Sequence, residues 1–252
     1  MNEDDHRKTC PFCRGLHWHR FQSLESKLVD ITKYVTLDET NSQTWGDEIA
    51  DILVLTGNAM DTFFKDMRDC PNIREDENFL SINKPRKGWK IHDYQKVYEP
   101  YYELSQNSVF TGFGLGNAQT LLPFQNFNCM IPKWWTAYNT TKHEFYTKMN
   151  EANLGNALNC LAGLLILNSL HLCSSYYISI HGGVSASRSS IPDPSHIQRE
   201  LTRSKIGVTR WGGRYQIVTN LFVFTYRQDE TIDVSGPPLL DFINKGRYTP
   251  TE

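Results

Sequence analysis

The chain has 252 residues, 39% of them apolar and 12% aromatic, with 21% charged residues of both signs and a formal net charge of −2. The apolar share is enough to bury a core, which excludes a wholly disordered chain, and the length favours one domain with an appended element over two full domains. A net charge near zero excludes a global basic field, so any contact with nucleic acid has to be local.

The opening Met1-Asn2-Glu3-Asp4-Asp5 is acidic and lacks the basic start and apolar run of a signal peptide, so the expected compartment is the cytoplasm. There the six cysteines (Cys10, Cys13, Cys70, Cys129, Cys160 and Cys173) read as thiols rather than as a disulfide framework. Residues 1–19 form a polar segment with Cys10-Pro11-Phe12-Cys13 followed by His17 and His19. These are zinc-ligand types, and zinc at the N-terminus is the one cofactor the residues suggest. Against it, three residues between Cys13 and His17 leave little chain to wrap an ion, and free thiols with solvent-exposed histidines are the plainer reading.

Helical periodicity begins with Phe21, Leu24, Leu28, Ile31 and Val35, which recur at spacings of three and four. A second helix is predicted over Trp45 to Met67, with Ile49, Ile52, Leu53, Ala59, Met60, Phe63, Phe64 and Met67 on its apolar stripe. Asp47 and Glu48 suit its dipole, and Thr44 is the candidate N-cap. Residues 69–90, with Pro71, Pro85 and many charges, are expected to be a long exposed connection. A third helix from Ile91 to Gln106 should kink or end at Pro100. Gly112-Phe113-Gly114-Leu115-Gly116 reads as a turn, because no Lys-Ser or Lys-Thr follows to make a phosphate loop.

A single long helix is predicted from Trp134 to about Tyr177, with Gly155 and Gly163 on it at a propensity cost of about 1 kcal/mol each. That cost calls for close packing against a neighbour. Its run from Leu154 to Leu172 is broken by Asn156, Asn159, Asn168 and His171, so it reads as core rather than as a membrane span. Beyond His181 a Gly- and Ser-rich loop leads to Ile206 to Trp211 and Tyr215 to Tyr226, a β-hairpin, and then to an irregular tail. Arg210 and Arg214, with Trp211 between them, mix cation and aromatic groups as RNA-binding surfaces do, although solvated hairpin charges are the simpler reading.

The densest chemistry lies in Lys133-Trp134-Trp135-Thr136-Ala137-Tyr138-Asn139-Thr140-Thr141-Lys142-His143. Spacings of four put Tyr138 beside Lys142 and Asn139 beside His143 on adjacent helical turns. Such groups either solvate a helix terminus or line a cleft. This segment, with Ala152, Leu154, Asn156, Ala157 and Leu158 after it and a preceding helix bearing Glu48, Ile52, Leu53 and Asp61, resembles the HEPN superfamily over roughly residues 45–175. The resemblance implies a helical bundle, and commonly a metal-independent ribonuclease that works as a dimer in toxin or anti-phage systems, held in check by an antitoxin or regulatory protein. The family signature is an arginine, a polar residue, three variable residues and a histidine. It falls here on Asn139 and His143, with Tyr138 in the place of the arginine.

The expected architecture is therefore mainly α: a bundle of four or five helices over residues 20–180, then a loop, a small C-terminal β-hairpin and a tail over 181–252. The expected function is RNA cleavage without a metal by a homodimer. His143 is the acid/base, Asn139 orients it, and Lys142 with Tyr138 handles the phosphate. The alternative is a non-catalytic bundle that binds RNA or a partner protein.

Overall fold

Residues 8–74, 76–111, 119–181, 184–186, 207–211 and 214–226 are described by a computed structural model, which is mainly helical with an added β-sheet. Among them no helix is long and apolar enough to cross a membrane. The described residues cluster into two compact units, one drawn from Met1–Asp38, Val109–Thr120 and Leu167–Glu252, the other from Glu39–Ser108 and Leu121–Ile166. The first is called here the sheet unit and the second the helical unit. The glycine-rich stretch at 112–116, the loop after His181 and the tail lie outside the described residues, except for a short strand at 184–186.

In the helical unit, α2 (Asp47–Met67) buries Ile49, Ile52, Leu53, Ala59, Met60, Phe63, Phe64 and Met67, the expected stripe. It begins two residues later than the pattern suggested. Gly46 holds the N-cap position without a side-chain cap, and Thr44 instead lends its carbonyl to the Leu154 N–H at 2.8 Å. The connection at 69–90 is more ordered than expected. It holds short helices at Pro71–Arg74 and Glu77–Leu80, and the Asp76 carboxylate caps the latter by accepting from the Asn78 and Phe79 N–H groups at 2.8 and 3.3 Å. Cys70, Ile73 and Trp89 are buried there, so apolar anchors hidden among the charges organise the segment.

Next comes α3 (Ile91–Tyr102), with Pro100 in its last turn and left-handed Glu103 closing it. Its Tyr94 and Tyr98 stack with Phe64 of α2 at 5.1 and 5.6 Å, and the Tyr98 hydroxyl donates to the Phe64 carbonyl at 2.7 Å. Burial pushes the Tyr94 phenol up to about 12. The chain from Leu121 to Pro132 is pinned by side-chain bonds to its backbone. Gln95 donates to the carbonyls of Phe127 and Met130, and the Trp134 indole donates to Pro123.

The expected long helix from Trp134 to Tyr177 is three helices. They are α4 (Lys133–His143), α5 (Leu154–Leu170) and α6 (Leu172–His181). Two causes act at the first break. Thr140 and Thr141 lower helix propensity where α4 ends, and Asn153 starts a new helix by accepting the Asn156 N–H on its side-chain oxygen at 3.0 Å. The Leu154 and Gly155 N–H groups are satisfied by the carbonyls of Thr44 and Ser42. From there α5 is buried on nearly every face, as a helix with no polar side must be. A Cβ on Gly163 would lie 3.1 Å from Met60 of α2, the close approach its cost required.

In the sheet unit, α1 (Leu16–Ile31) starts earlier than its periodicity and buries His17, Trp18, Phe21, Leu24, Glu25 and Leu28. The sheet comprises β1 (Val109–Thr111), β2 (Gln119–Leu121), β3 (Val184–Ala186), β4 (Gly207–Trp211), β5 (Arg214–Val218) and β6 (Phe222–Tyr226), in the order β2-β1-β6-β5-β4-β3. The small C-terminal hairpin is thus corrected to a sheet that is not strictly C-terminal. The long second strand of the expected hairpin folds back on itself at Thr219–Leu221, and β6 pairs antiparallel with β1 through Val109↔Phe224 to Thr111↔Phe222.

The reversal is held by a buried carboxyl group. Glu25 of α1 accepts from the Thr219 hydroxyl, from the Leu221 N–H at 2.9 Å and from the Asn220 amide at 3.2 Å. Burial raises the Glu25 acid above its ordinary value, and the three donors oppose that rise.

Candidate functional site

Pro132 precedes the first residue of α4, and its carbonyl receives the Trp135 and Thr136 N–H groups at 3.0 and 3.2 Å. The helix lies on α2, where Gly57 admits the ring of Tyr138. A Cβ at that position would stand 2.2 Å from the ring. The ring is buried, yet its hydroxyl reaches a polar edge and donates to the Asn58 side-chain oxygen at 2.8 Å. The Lys142 ammonium, exposed, donates to the Tyr138 hydroxyl at 3.0 Å and to Asn58 at 3.4 Å, and lies 5.2 Å from the Tyr138 ring centroid. The bond to Tyr138 raises the Lys142 pKa and the Asp61 carboxylate adds to the rise, so this cation stays charged through the physiological range.

His143 is the last residue of α4 and is exposed. The structure therefore brings Tyr138 and Lys142 together, with His143 next along the chain. It engages Asn139 differently, because the Asn139 amide donates to the Trp135 carbonyl at 2.9 Å on its own helix. Asn58 is the member that reasoning from sequence missed. Its signal was a polar side chain next to Gly57, on the face that carries Asp61 and Lys65.

A second cluster lies in the sheet unit. The Sγ atoms of Cys10, Cys13 and Cys173 all fall within 4.8 Å of one another, Cys10 buried and the other two half-buried. This group could hold a metal such as zinc. The Cys10 thiol is drawn down to about 5, first by its hydrogen bond with Cys173 and against the upward push of burial, while the same bond and burial raise Cys173.

His17 and His19 are not members of the cluster. The His17 ring stacks on Phe12 at 4.5 Å, and both ring nitrogens of His19 are engaged, with Tyr177 at 2.8 Å and Gln22 at 3.2 Å. Cys173, far away in sequence, stands where the histidines were expected. Of the remaining candidates, Arg210 and Trp211 fall on β4 and Arg214 opens β5, the register setting Trp211 opposite Arg214. The chain matches no family model, no curated protein sequence and no solved structure.

Proposed function

We propose that the chain is a HEPN-like RNA endonuclease that needs no metal for cleavage, with its site at the exposed end of α4. The observation that carries this reading is the Lys142 ammonium, held by Tyr138 and Asn58 one residue before the exposed His143. A fixed cation is what a phosphodiester needs as charge builds on its oxygens, and Tyr138 with Asn58 holds that cation in place of the family arginine. His143 takes the proton of a ribose 2′-hydroxyl. The 2′-oxygen then attacks phosphorus, and the leaving 5′-oxygen departs as a hydroxyl, giving a 2′,3′-cyclic phosphate. A second copy of the chain, related by a twofold axis, supplies the acid through its own His143. The protein acts on RNA in the cytoplasm, and an antitoxin or regulatory partner restrains it.

One observation favours the competing reading. The Asn139 amide is spent on its own helix, so it does not orient His143 through that group, which suits a bundle that binds RNA or a protein without cutting.

The test is incubation of a mixed RNA pool in EDTA with wild type and with His143→Ala, the fold of each checked by circular dichroism in the same buffer. Cleavage that leaves cyclic-phosphate ends and drops by about 100-fold or more in the variant supports the nuclease. Retained RNA binding with no cleavage by folded wild type overturns it in favour of the binding bundle.

A further inference from the structure

The N-terminal thiols and the first turn of α6 are far apart in the chain and meet at one point. We propose that Cys10, Cys13 and Cys173 bind a zinc ion as a structural centre, clamping the segment ahead of α1 to the start of α6.

Geometry is the first ground. A tetrahedral zinc with bonds of about 2.3 Å sets its sulfurs about 3.8 Å apart. The three Sγ atoms already lie within 4.8 Å of one another, so closing them on the ion takes a side-chain adjustment rather than a backbone rearrangement. Local structure is the second. Backbone bonds from Arg14 to Cys10, from Gly15 to Phe12 and from Leu16 to Pro11, at 3.2, 3.0 and 3.0 Å, curl the Cys-x-x-Cys segment into a tight turn that presents both sulfurs together. Cys173 is the second residue of α6, so the start of that helix delivers the third sulfur to the turn.

The third ground is what the same atoms would do without an ion. Thiols are weak hydrogen-bond donors and acceptors, so gathering three of them in a partly buried place stabilises little by itself. A disulfide would use two sulfurs and leave the third idle. A metal uses all three. Among the described residues the cluster supplies three ligands, and water takes the fourth position. Partial burial and a ligand set from two separate parts of the chain suit an ion that ties those parts together, a structural role. The same clamp explains why Gly15, at φ 69, carries no side chain: a Cβ there would stand 2.3 Å from the Tyr177 ring of α6.

The proposal is tested on the full chain, purified without chelator and gel-filtered after exposure to zinc. Metal content is measured by mass spectrometry, and release is followed with a zinc-sensitive dye as a mercurial titrates the thiols. Expected are one zinc per chain, its release in step with thiol modification, its loss in Cys173→Ser and its retention in the exposed-cysteine control Cys129→Ser. Should Cys173→Ser not fold, the wild-type stoichiometry and the thiol-linked release still decide. Folded wild type that takes up no zinc overturns the proposal, as does a native Cys10–Cys13 disulfide seen by intact-mass analysis without metal.

Discussion

Gly57→Ala sets two well-known effects against each other. Alanine should stabilise the middle of α2 by about 1 kcal/mol through helix propensity alone. Its Cβ, however, would lie 2.2 and 2.3 Å from two carbons of the Tyr138 ring, where ordinary contact begins at 3.4 Å. The ring must retreat by more than 1 Å, and it has little room: it is 2% exposed and packed edge-on against Trp135 at 5.6 Å. Overpacking of this kind costs about 1–3 kcal/mol, and pulling the hydroxyl off Asn58 adds about 1 kcal/mol. The expected net loss is about 2 kcal/mol, seen as a fall in Tm of roughly 4–8 °C for a chain of this size. Urea titration followed by circular dichroism measures it. The control is the same substitution in a Tyr138→Ala background, where the ring is absent and alanine should be neutral or stabilising. If Gly57→Ala raises the stability of wild type, or has the same effect in both backgrounds, the packing of α4 on α2 described above is wrong.

Tyr138→Phe keeps the ring and removes the hydroxyl. It should cost about 1 kcal/mol, and it should let the Lys142 ammonium, followed by NMR titration, fall back toward its ordinary pKa, since the bond to that hydroxyl is what raises it. Glu25 has a folded pKa above its unfolded one, so its stabilising protonated form is fully present below the unfolded value and is lost as pH rises through the folded value. Glu25→Gln removes that dependence. Its stability relative to wild type should improve from pH 4 to pH 8, with a slope of at most about 1.4 kcal/mol per pH unit, and denaturant melts at the two ends would show a constant gap if the carboxyl were not perturbed. Asn153→Ala strips the cap from α5 and should lower stability by about 1 kcal/mol, while Asn153→Asp should keep most of it, as thermal melts of the two variants would show.

Where periodicity was long and one-sided, as in α2, the sequence was enough to name both the helix and its buried face. The breaks between α4, α5 and α6 were harder, because nothing as blunt as proline marks them. Asn153 reads as one more polar residue until its side chain is seen capping Asn156. The antiparallel pairing of β4 with β5 was expected and is present, but the extension of the sheet to β1 was missed for another reason. Val109 to Thr111 is too short to show alternation, and its partner Phe222 to Tyr226 lies more than a hundred residues away, so no local pattern announces the pairing. At the candidate site Tyr138 and Lys142 were legible as an i, i+4 pair, whereas Asn58 comes from a different helix. The thiol cluster shows the same division: Cys10 and Cys13 declare themselves by spacing, and Cys173 becomes their companion only through the fold.

The pairing of β1 with β6 also has a bearing on how the protein is born. Thr111 donates its hydroxyl to the Leu221 carbonyl across a sequence separation of 110 residues. At translation rates of about 5–20 residues per second, the nascent β1 waits roughly 5–20 s for the strand that will cover it. The helical unit has all of its chain once Ile166 is made, so it can close during that interval while Val109 and its neighbours stay unpaired. A ribosome stalled after Ile166 is clear of it and before β6 is made would display a complete helical unit together with an unpaired β1, an open sheet edge available to proteases and chaperones.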